Sequence, residues 1–346
     1  MITANALKVK GVSQVTFKDV DNAPWQSALA SAIRDPLVLL KLLELDVTKY
    51  HKHLYHPDRF KLLVPISYVS RMTKGDWNDP LLKQVLPIQN ETQSVAGFIA
   101  DPVGDLDSVI SSGVLQKYQG RVLLITTGAC AVHCRYCFRR HFPYADSMPD
   151  KDKWQKTLAS ICNDESIHEV ILSGGDPLMI PDKRLKMMCH DLADIPHVKT
   201  LRFHTRIPIF LPERINNELL KWLAGLDINK VMVIHANHAQ ELDSSVGDIL
   251  NKLREAGVML LNQSVLLKGI NDSVEALSAL SHRLFDFQVL PYYLHQLDKV
   301  DGGAHFEVDR KRSITLINDL KMSLPGYLVP RLVEEVSGER SKSALE

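Results

Sequence analysis

The residues most able to do chemistry stand together at Cys130, Cys134 and Cys137, in the run Cys-Ala-Val-His-Cys-Arg-Tyr-Cys. A thiolate is a soft metal ligand, so three at this C-x3-C-x2-C spacing point to a metal or redox centre. Three is one short of the four that close a structural zinc or iron-sulfur site. Either His133 or His141 completes a zinc site, or a [4Fe-4S] cluster is held at three corners and leaves one iron open to chelate a further ligand. Cys162 and Cys189 have no matching spacing and read as small buried apolar residues.

A loop of this kind needs a scaffold to present it. Runs rich in β-formers recur at residues 122–126, 169–173, 200–203, 230–234, 258–265 and 287–293. After a first gap of about 47 residues they repeat roughly every 30, too long for hairpins and right for β-α-β units. Helical segments with suitable ends fill the gaps. Asp150 precedes one over 154–161, Pro181-Asp182 one over 185–192, and Pro212 one over 215–223 with Gly225 behind it; Ser244 opens another that closes at Gly257, and Asp272-Ser273 one that runs through Leu284. Six such units predict an α/β fold, a partial (β/α)6 barrel, whose chemistry sits at the C-terminal ends of the strands.

Polar groups follow nearly every strand at that end. They are Thr127-Gly128 leading to Cys130, Ser173-Gly174-Gly175-Asp176, His204-Thr205-Arg206, His235 to His238, Asn262-Gln263-Ser264, and Tyr292-Tyr293 through Asp298. Polar atoms inside apolar runs, as at Asn262-Gln263-Ser264, cost several kcal/mol unless they find partners.

The whole chain has 346 residues, 45% hydrophobic and 24% charged, with 41 basic against 41 acidic side chains. That is the composition of a globular protein with a substantial core, and zero net charge gives no attraction to nucleic acid or an anionic membrane. No apolar run reaches the ~18 residues of a membrane span, and the start Met-Ile-Thr-Ala-Asn has no signal-peptide pattern, so a cytoplasmic location is expected. The expected organisation is a mostly helical region over 1–100, the barrel over 101–320 and a C-terminal segment over 321–346. The helical region offers no chemistry of its own and reads as a cap on the barrel.

The cysteine spacing on the first strand-helix loop resembles the radical S-adenosylmethionine superfamily. The wider run GACAVHCRYCFRRHFPY is similar to the lysine 2,3-aminomutase family within it, as are SGGDPL at 173–178, RFHTRIP at 202–208, NQSVLL at 262–267, PYY at 291–293 and GYLVP at 326–330. Within that family the match is to the short bacterial branch acting in elongation factor P β-lysylation. The resemblance implies an isomerase that converts L-α-lysine to β-lysine. It makes Cys130, Cys134 and Cys137 the cluster ligands, with S-adenosylmethionine on the open iron, where one electron cleaves it to a carbon-centred radical. Ser173, Gly174, Gly175, Asp176, His235 and Gln263 match positions near that ligand. The two glycines suit the task because they let backbone approach a ligand closely.

A second cofactor is implied, pyridoxal 5'-phosphate, carried by the family on a lysine near the C-terminus; the matching position is Lys342. It supplies the π-system through which an amino group moves between adjacent carbons. Tyr118 and Arg121 match further contacts to it. Arg139 matches the arginine that grips the substrate α-carboxylate, a task suited to a bidentate guanidinium. Asp298 and Glu335 match two aspartates that hold the lysine ε-ammonium, and two acids favour a lysine-like substrate over glutamate. Partners implied are lysine, an electron donor, and functionally elongation factor P with its lysyl ligase. Larger family members carry a glycine run before the lysine, where this chain has only Gly338, and a zinc-binding cysteine tail after it. Here the sequence ends at Glu346 and no zinc-linked oligomer is expected. Two alternatives compete: a free-lysine or glutamate 2,3-aminomutase of metabolism, and a zinc-stabilised module whose CRYCFRRHF run touches RNA, against which the neutral charge weighs.

Overall fold

The computed structural model describes residues 25–49, 55, 57, 60–111, 113–144, 151–339 and 341–346. Among these residues ten strands form one sheet in strict chain order: β1 (Val109–Ser111), β2 (Val114–Leu115), β3 (Arg121–Thr127), β4 (Glu169–Gly174), β5 (Thr200–Thr205), β6 (Asn229–Ile234), β7 (Val258–Val265), β8 (Leu290–His295), β9 (Arg331–Glu334) and β10 (Ser343–Ala344). β3 to β9 are parallel, while β1, β2 and β10 pair antiparallel at the two edges. The six expected strands are therefore the parallel centre, β3 to β8. The sheet extends beyond them at both edges with strands too short for any period to show.

The segment expected as a tail supplies two of those strands. Leu345 is buried, and its N–H reaches Leu332 O at 3.0 Å, so the last residues are fixed to the sheet. The sixth strand begins later than expected. Phe287 caps the preceding helix and Gln288 turns through φ 56°, which uses up the first residues of the run.

Helices alternate with the strands: α5 (Lys151–Cys162), α6 (Asp182–Ala193), α8 (Asn217–Ala224), α9 (Ser244–Glu255), α10 (Val274–Asp286) and α11 (Arg310–Ser323), with a single turn, α7 (Ile207–Phe210), after β5. Their apolar stripes face the sheet, as with Val246, Leu250 and Leu253 on α9. Side-chain caps set their starts: Asn216 accepts from Leu219 N–H at 2.9 Å, Asp243 from Val246 N–H at 3.0 Å and Ser273 from Ala276 N–H at 3.2 Å. Pro212 opens a separate 3-10 turn instead of α8. The expected boundary at Asp150 lies outside the described residues. Cys189 is buried as expected, but Cys162, the last residue of α5, is exposed.

The N-terminal region contributes short helices, α1 (Trp25–Ala30), α2 (Pro36–Leu42), α3 (Ile66–Val69) and α4 (Pro80–Val85). Asp35 caps α2 and the following proline fixes its first turn. Leu39, Leu40, Leu81 and Leu82 share one buried cluster with Leu201 and Phe203 of the sheet. Among the described residues no helix is long and apolar enough to cross a membrane.

Candidate active site

The C-terminal ends of the parallel strands surround a cavity of about 630 Å³, and its wall includes Cys130, Cys134, Cys137 and Lys342 together. Tyr118, Arg121, Arg139, Ser173, Gly174, Gly175, Asp176, His235, Gln263, Asp298 and Glu335 line it too. Residues spread over more than 200 sequence positions are brought to one space by the strand order.

The cysteine loop leaves β3 and is clamped from outside by the N-terminal region. Arg135 N–H donates to Gln84 O at 2.9 Å and His133 N–H to Leu63 O at 3.1 Å. The fully buried Arg135 guanidinium donates through Nε to Glu91 Oε1 at 2.9 Å, and Arg140 reaches Glu91 Oε2 at 2.8 Å. The helical cap thus has a specific task that composition did not reveal: it holds the loop that carries the thiols. On the barrel side Gly175 N–H donates to Thr127 O at 2.6 Å and Asp176 N–H to Ala129 O at 2.8 Å. A Cβ on Gly175 would lie 2.3 Å from Ala129 O, and one on Gly174, at φ 122°, 2.4 Å from Thr127 O. The glycines are therefore required by close approach to the cysteine loop, whose backbone leaves no room for a Cβ at either position.

Burial pushes the Cys130 thiol well up, with Cys137 adding to it, and burial and Cys134 push Cys137 up to about 11. Thiols raised in this way ionise when a cation binds them, and the cationic core of a cluster would supply it. Among the described residues no three His, Cys, Asp or Glu side chains converge as a single ion requires. A four-iron cluster gives each thiolate its own iron. His133 Nδ1 pairs with Lys61 O at 2.6 Å and His141 Nε2 with Asp301 O at 3.3 Å, which leaves one ring nitrogen of each unengaged by these contacts. The basic run pairs inward with Glu91 and Asp105, which removes it as an RNA-binding face.

One participant went unassigned in the sequence. The buried Arg206 guanidinium donates to Cys134 Sγ at 3.0 Å, to Glu241 Oε2 at 2.8 Å and to His235 O at 2.9 Å, and it also bonds Tyr136 Oη. Asp176 lines the cavity and is fixed by its own loop. Its carboxylate accepts from Thr205 Oγ1 at 2.7 Å, Leu178 N–H at 3.0 Å and Arg206 N–H at 2.8 Å, though burial still raises it to about 6. Asn262 and Ser264 point away from the cavity and bond Ala236, which satisfies the polar atoms inside the β7 run and leaves Gln263 facing the cavity.

Three neutral imidazoles line the interior. Burial, then Arg206, lowers His235 to about 3, and burial holds His204 and His295 well below the usual range. Each has a buried Nε2 with no partner, a group available to a ligand. Arg121 stacks on Tyr118 at 4.8 Å with its buried Nε also unpartnered. These orphaned groups, with the three thiols, fit a cavity built for a cluster and two organic cofactors.

Alternating charges run along the wall from the cysteine loop to the C-terminus. Arg139 donates through Nε to Asp105 Oδ2 at 2.7 Å and through Nη1 to Ser173 Oγ at 3.1 Å. Asp105 Oδ1 meets Lys117 Nζ at 2.7 Å, Lys117 donates to Glu335 Oε1 at 2.9 Å, and Glu335 Oε2 accepts from Lys342. Burial opposes ionisation of Glu335, yet Lys342 and Lys117 hold it down at about 2. Burial, reinforced by Glu335, pushes Asp298 up to about 7. Asp105 and Lys117 carry no motif and were not anticipated.

Comparison with known proteins agrees with this geometry. Residues 124–280 match the family model described as Radical SAM superfamily. The chain is 44% identical over 333 residues to the L-lysine 2,3-aminomutase of Escherichia coli (strain K12), covering 96% of this chain and 97% of that one. It is 44% identical over 319 residues to the L-lysine 2,3-aminomutase of Buchnera aphidicola subsp. Baizongia pistaciae, covering 92% and 94%. With the L-lysine 2,3-aminomutase of Clostridium subterminale the figure is 34% over 334 residues, covering 94% of this chain and 79% of the other. The chain belongs to the lysine 2,3-aminomutase family of radical S-adenosylmethionine isomerases.

Proposed function

We propose that this chain rearranges L-α-lysine to β-lysine and that the product serves β-lysylation of elongation factor P by its lysyl ligase. The observation that carries the reading is the single cavity that holds three cysteines at one side and Lys342 at another, with Arg139 and Asp298 also on its wall. The family works with a [4Fe-4S] cluster, S-adenosylmethionine and pyridoxal 5'-phosphate. When bound, these supply a one-electron route to a carbon-centred radical and a π-system for moving nitrogen.

The chain's own side chains do the rest. Cys130, Cys134 and Cys137 would hold the cluster, and Gln263 and His235 stand where they can bond the nucleoside ligand. Lys342 would carry pyridoxal phosphate, with Arg121 and Tyr118 beside it. Arg139 is aimed by Asp105 and Ser173 so that its remaining N–H groups are free for an α-carboxylate. Acidic Asp298 and Glu335 would repel a glutamate side chain, which favours lysine over the glutamate alternative. Reaction must exclude water and oxygen from a radical, and burial of the cavity wall serves that end.

The reading is tested by anaerobic reconstitution, a chemical reductant as electron donor, and assay with L-lysine and L-glutamate. β-Lysine from lysine alone supports it, and absence of β-lysine and of 5'-deoxyadenosine contradicts it. Supplying the product to elongation factor P and its ligase tests the second half: preferential attachment of the enzymatic product over α-lysine is expected.

A further inference from the structure

Three imidazoles line the cavity with a buried Nε2 that has no partner among the described residues, and their neighbours sort them. His235 stands on the cysteine side. Its carbonyl accepts from Arg206 Nε at 2.9 Å, and the same guanidinium reaches Cys134 Sγ at 3.0 Å. The His204 ring meets the His235 ring edge-on at 5.9 Å, so it lies next in line. His295 is placed differently, on β8, with its ring 5.6 Å from that of Tyr293 and only 7% of its surface exposed. Strand register fixes where it points. His295 is opposite Val333 of β9, Val333 is opposite Ala344 of β10, and Ser343 is opposite Glu334. Alternation along the strands then puts His295, Glu335 and Lys342 on one face of the sheet, and all three line the cavity.

We infer that His295 is a further binding residue for pyridoxal 5'-phosphate, donating its Nε2–H to the phenolic oxygen of the cofactor ring; this rests on the reading of Lys342 as the residue that carries the cofactor. That oxygen sits on the ring carbon next to the one whose substituent bonds the lysine, so it is the cofactor oxygen nearest the lysine nitrogen. The doubly charged phosphate suits guanidiniums instead, and Arg121 has a buried Nε without a partner among the described residues. A single ring oxygen suits a neutral donor. Burial first and the Lys342 charge second hold His295 neutral, with His235 adding to them and Glu335 opposing. A neutral imidazole has one N–H to give and leaves no charge stranded when the site is empty. The sheet, not a loop, holds this donor: the His295 carbonyl accepts from Leu266 N–H at 2.8 Å, and Gln296 N–H donates to Val333 O at 2.8 Å. It is therefore in place before the cofactor arrives, and the bond recovers what an orphaned buried nitrogen costs.

The test is a titration of pyridoxal phosphate into cluster-loaded protein stripped of it, without S-adenosylmethionine or substrate, followed by difference absorption so that the colour of the cluster cancels. Wild type shows a saturable band of the lysine-bonded cofactor, which Lys342→Ala lacks. His295→Phe keeps an aromatic ring beside Tyr293 and has no N–H. Its affinity falls by on the order of 10- to 100-fold, the worth of one hydrogen bond to a charged group, and the maximum of its band moves. His295→Leu is the second variant, with the same loss and the same movement expected should the phenylalanine variant not fold. His295→Gln, whose amide offers an N–H at a similar reach, stays within about five-fold of wild type and keeps the wild-type maximum. Iron and sulfide content is the same in all of them. Undiminished affinity or an unmoved maximum in His295→Phe and His295→Leu, a loss in His295→Gln as large as theirs, or iron lost in step with the cofactor overturns the inference. Wild type with no such band overturns the reading of Lys342 itself, so the two failures are told apart.

Discussion

Arg206 donates a hydrogen bond to the sulfur of Cys134 at 3.0 Å, and Glu241 braces the same guanidinium at 2.8 Å. The cation thus faces one of the three cluster-ligand candidates from inside the barrel, braced by a carboxylate that receives two further polar contacts, from Gln84 Nε2 at 2.8 Å and Asn237 N–H at 3.0 Å.

A cationic donor to a ligand sulfur stabilises the reduced, more negative cluster. Replacing Arg206 and Glu241 together by glutamine avoids a stranded buried charge and removes the donor's charge. The cluster's midpoint potential is expected to fall by on the order of 50 mV, the one-electron equivalent of about tenfold in reduction equilibrium. A redox titration followed by electron paramagnetic resonance checks this, and an unchanged potential would show that Arg206 only packs.

Glu91 is the sole carboxylate among the described residues that pairs with Arg135, which has no exposed surface. Glu91→Ala strands that charge and is expected to cost about 3–5 kcal/mol in denaturant unfolding, with Glu91→Gln losing less. Because the same pair holds the cysteine loop, iron retention should fall alongside stability. Full iron loading in Glu91→Ala would separate the clamp from the loop.

Gly175 packs against the carbonyl of Ala129, one residue before Cys130. A methyl group there meets that oxygen at 2.3 Å, so Gly175→Ala must displace the cysteine loop. Strain of about 1–3 kcal/mol is expected, expressed as reduced iron and sulfide content after reconstitution. Gly338, at φ 85° and with nothing near its missing Cβ, should affect cluster content little when changed to alanine.

The Asp298 carboxyl, raised to about 7 by burial and by Glu335, gives lysine binding a pH dependence. The group pairs with an ammonium only as carboxylate, so affinity should increase as pH rises from 6 towards 7, by at most about tenfold per unit, and level off above it. Glu335, Lys342, Lys117 and Asp105 are the charges that act on it. Titration of lysine at several pH values should show the step in wild type and none in Asp298→Asn.

Much of this site could be read before any coordinates. The thiol spacing, the repeat of strand and helix, and the polar residues after each strand pointed to Cys130, His235 and Gln263 at one end of the sheet, while Lys342 was named only by the family resemblance; all four line one cavity. What could not be read was pairing across distance. Lys117 and Glu335 are 218 positions apart, and neither belongs to a local pattern that names the other. Asp105, Glu91 and Arg206 were likewise invisible as partners, because an ion pair leaves no period in a sequence. For Asp176 and the glycines the motif was visible, but their fit against the backbone of the cysteine loop was not. His204 and His295 carried a usable signal, since each lies at the C-terminal end of a strand facing the site.

The central claim is that one cavity joins a three-thiolate cluster to Lys342. The most direct measurement is cofactor content and product in paired variants, Cys134→Ala and Lys342→Ala, after identical anaerobic reconstitution. Cys134→Ala should lose iron and sulfide while keeping the visible absorption of pyridoxal phosphate bonded to lysine; Lys342→Ala should keep its iron and lose that absorption, and neither should make β-lysine. Retention of the lysine-bonded absorption in Lys342→Ala, or β-lysine formation by either variant, would contradict the account.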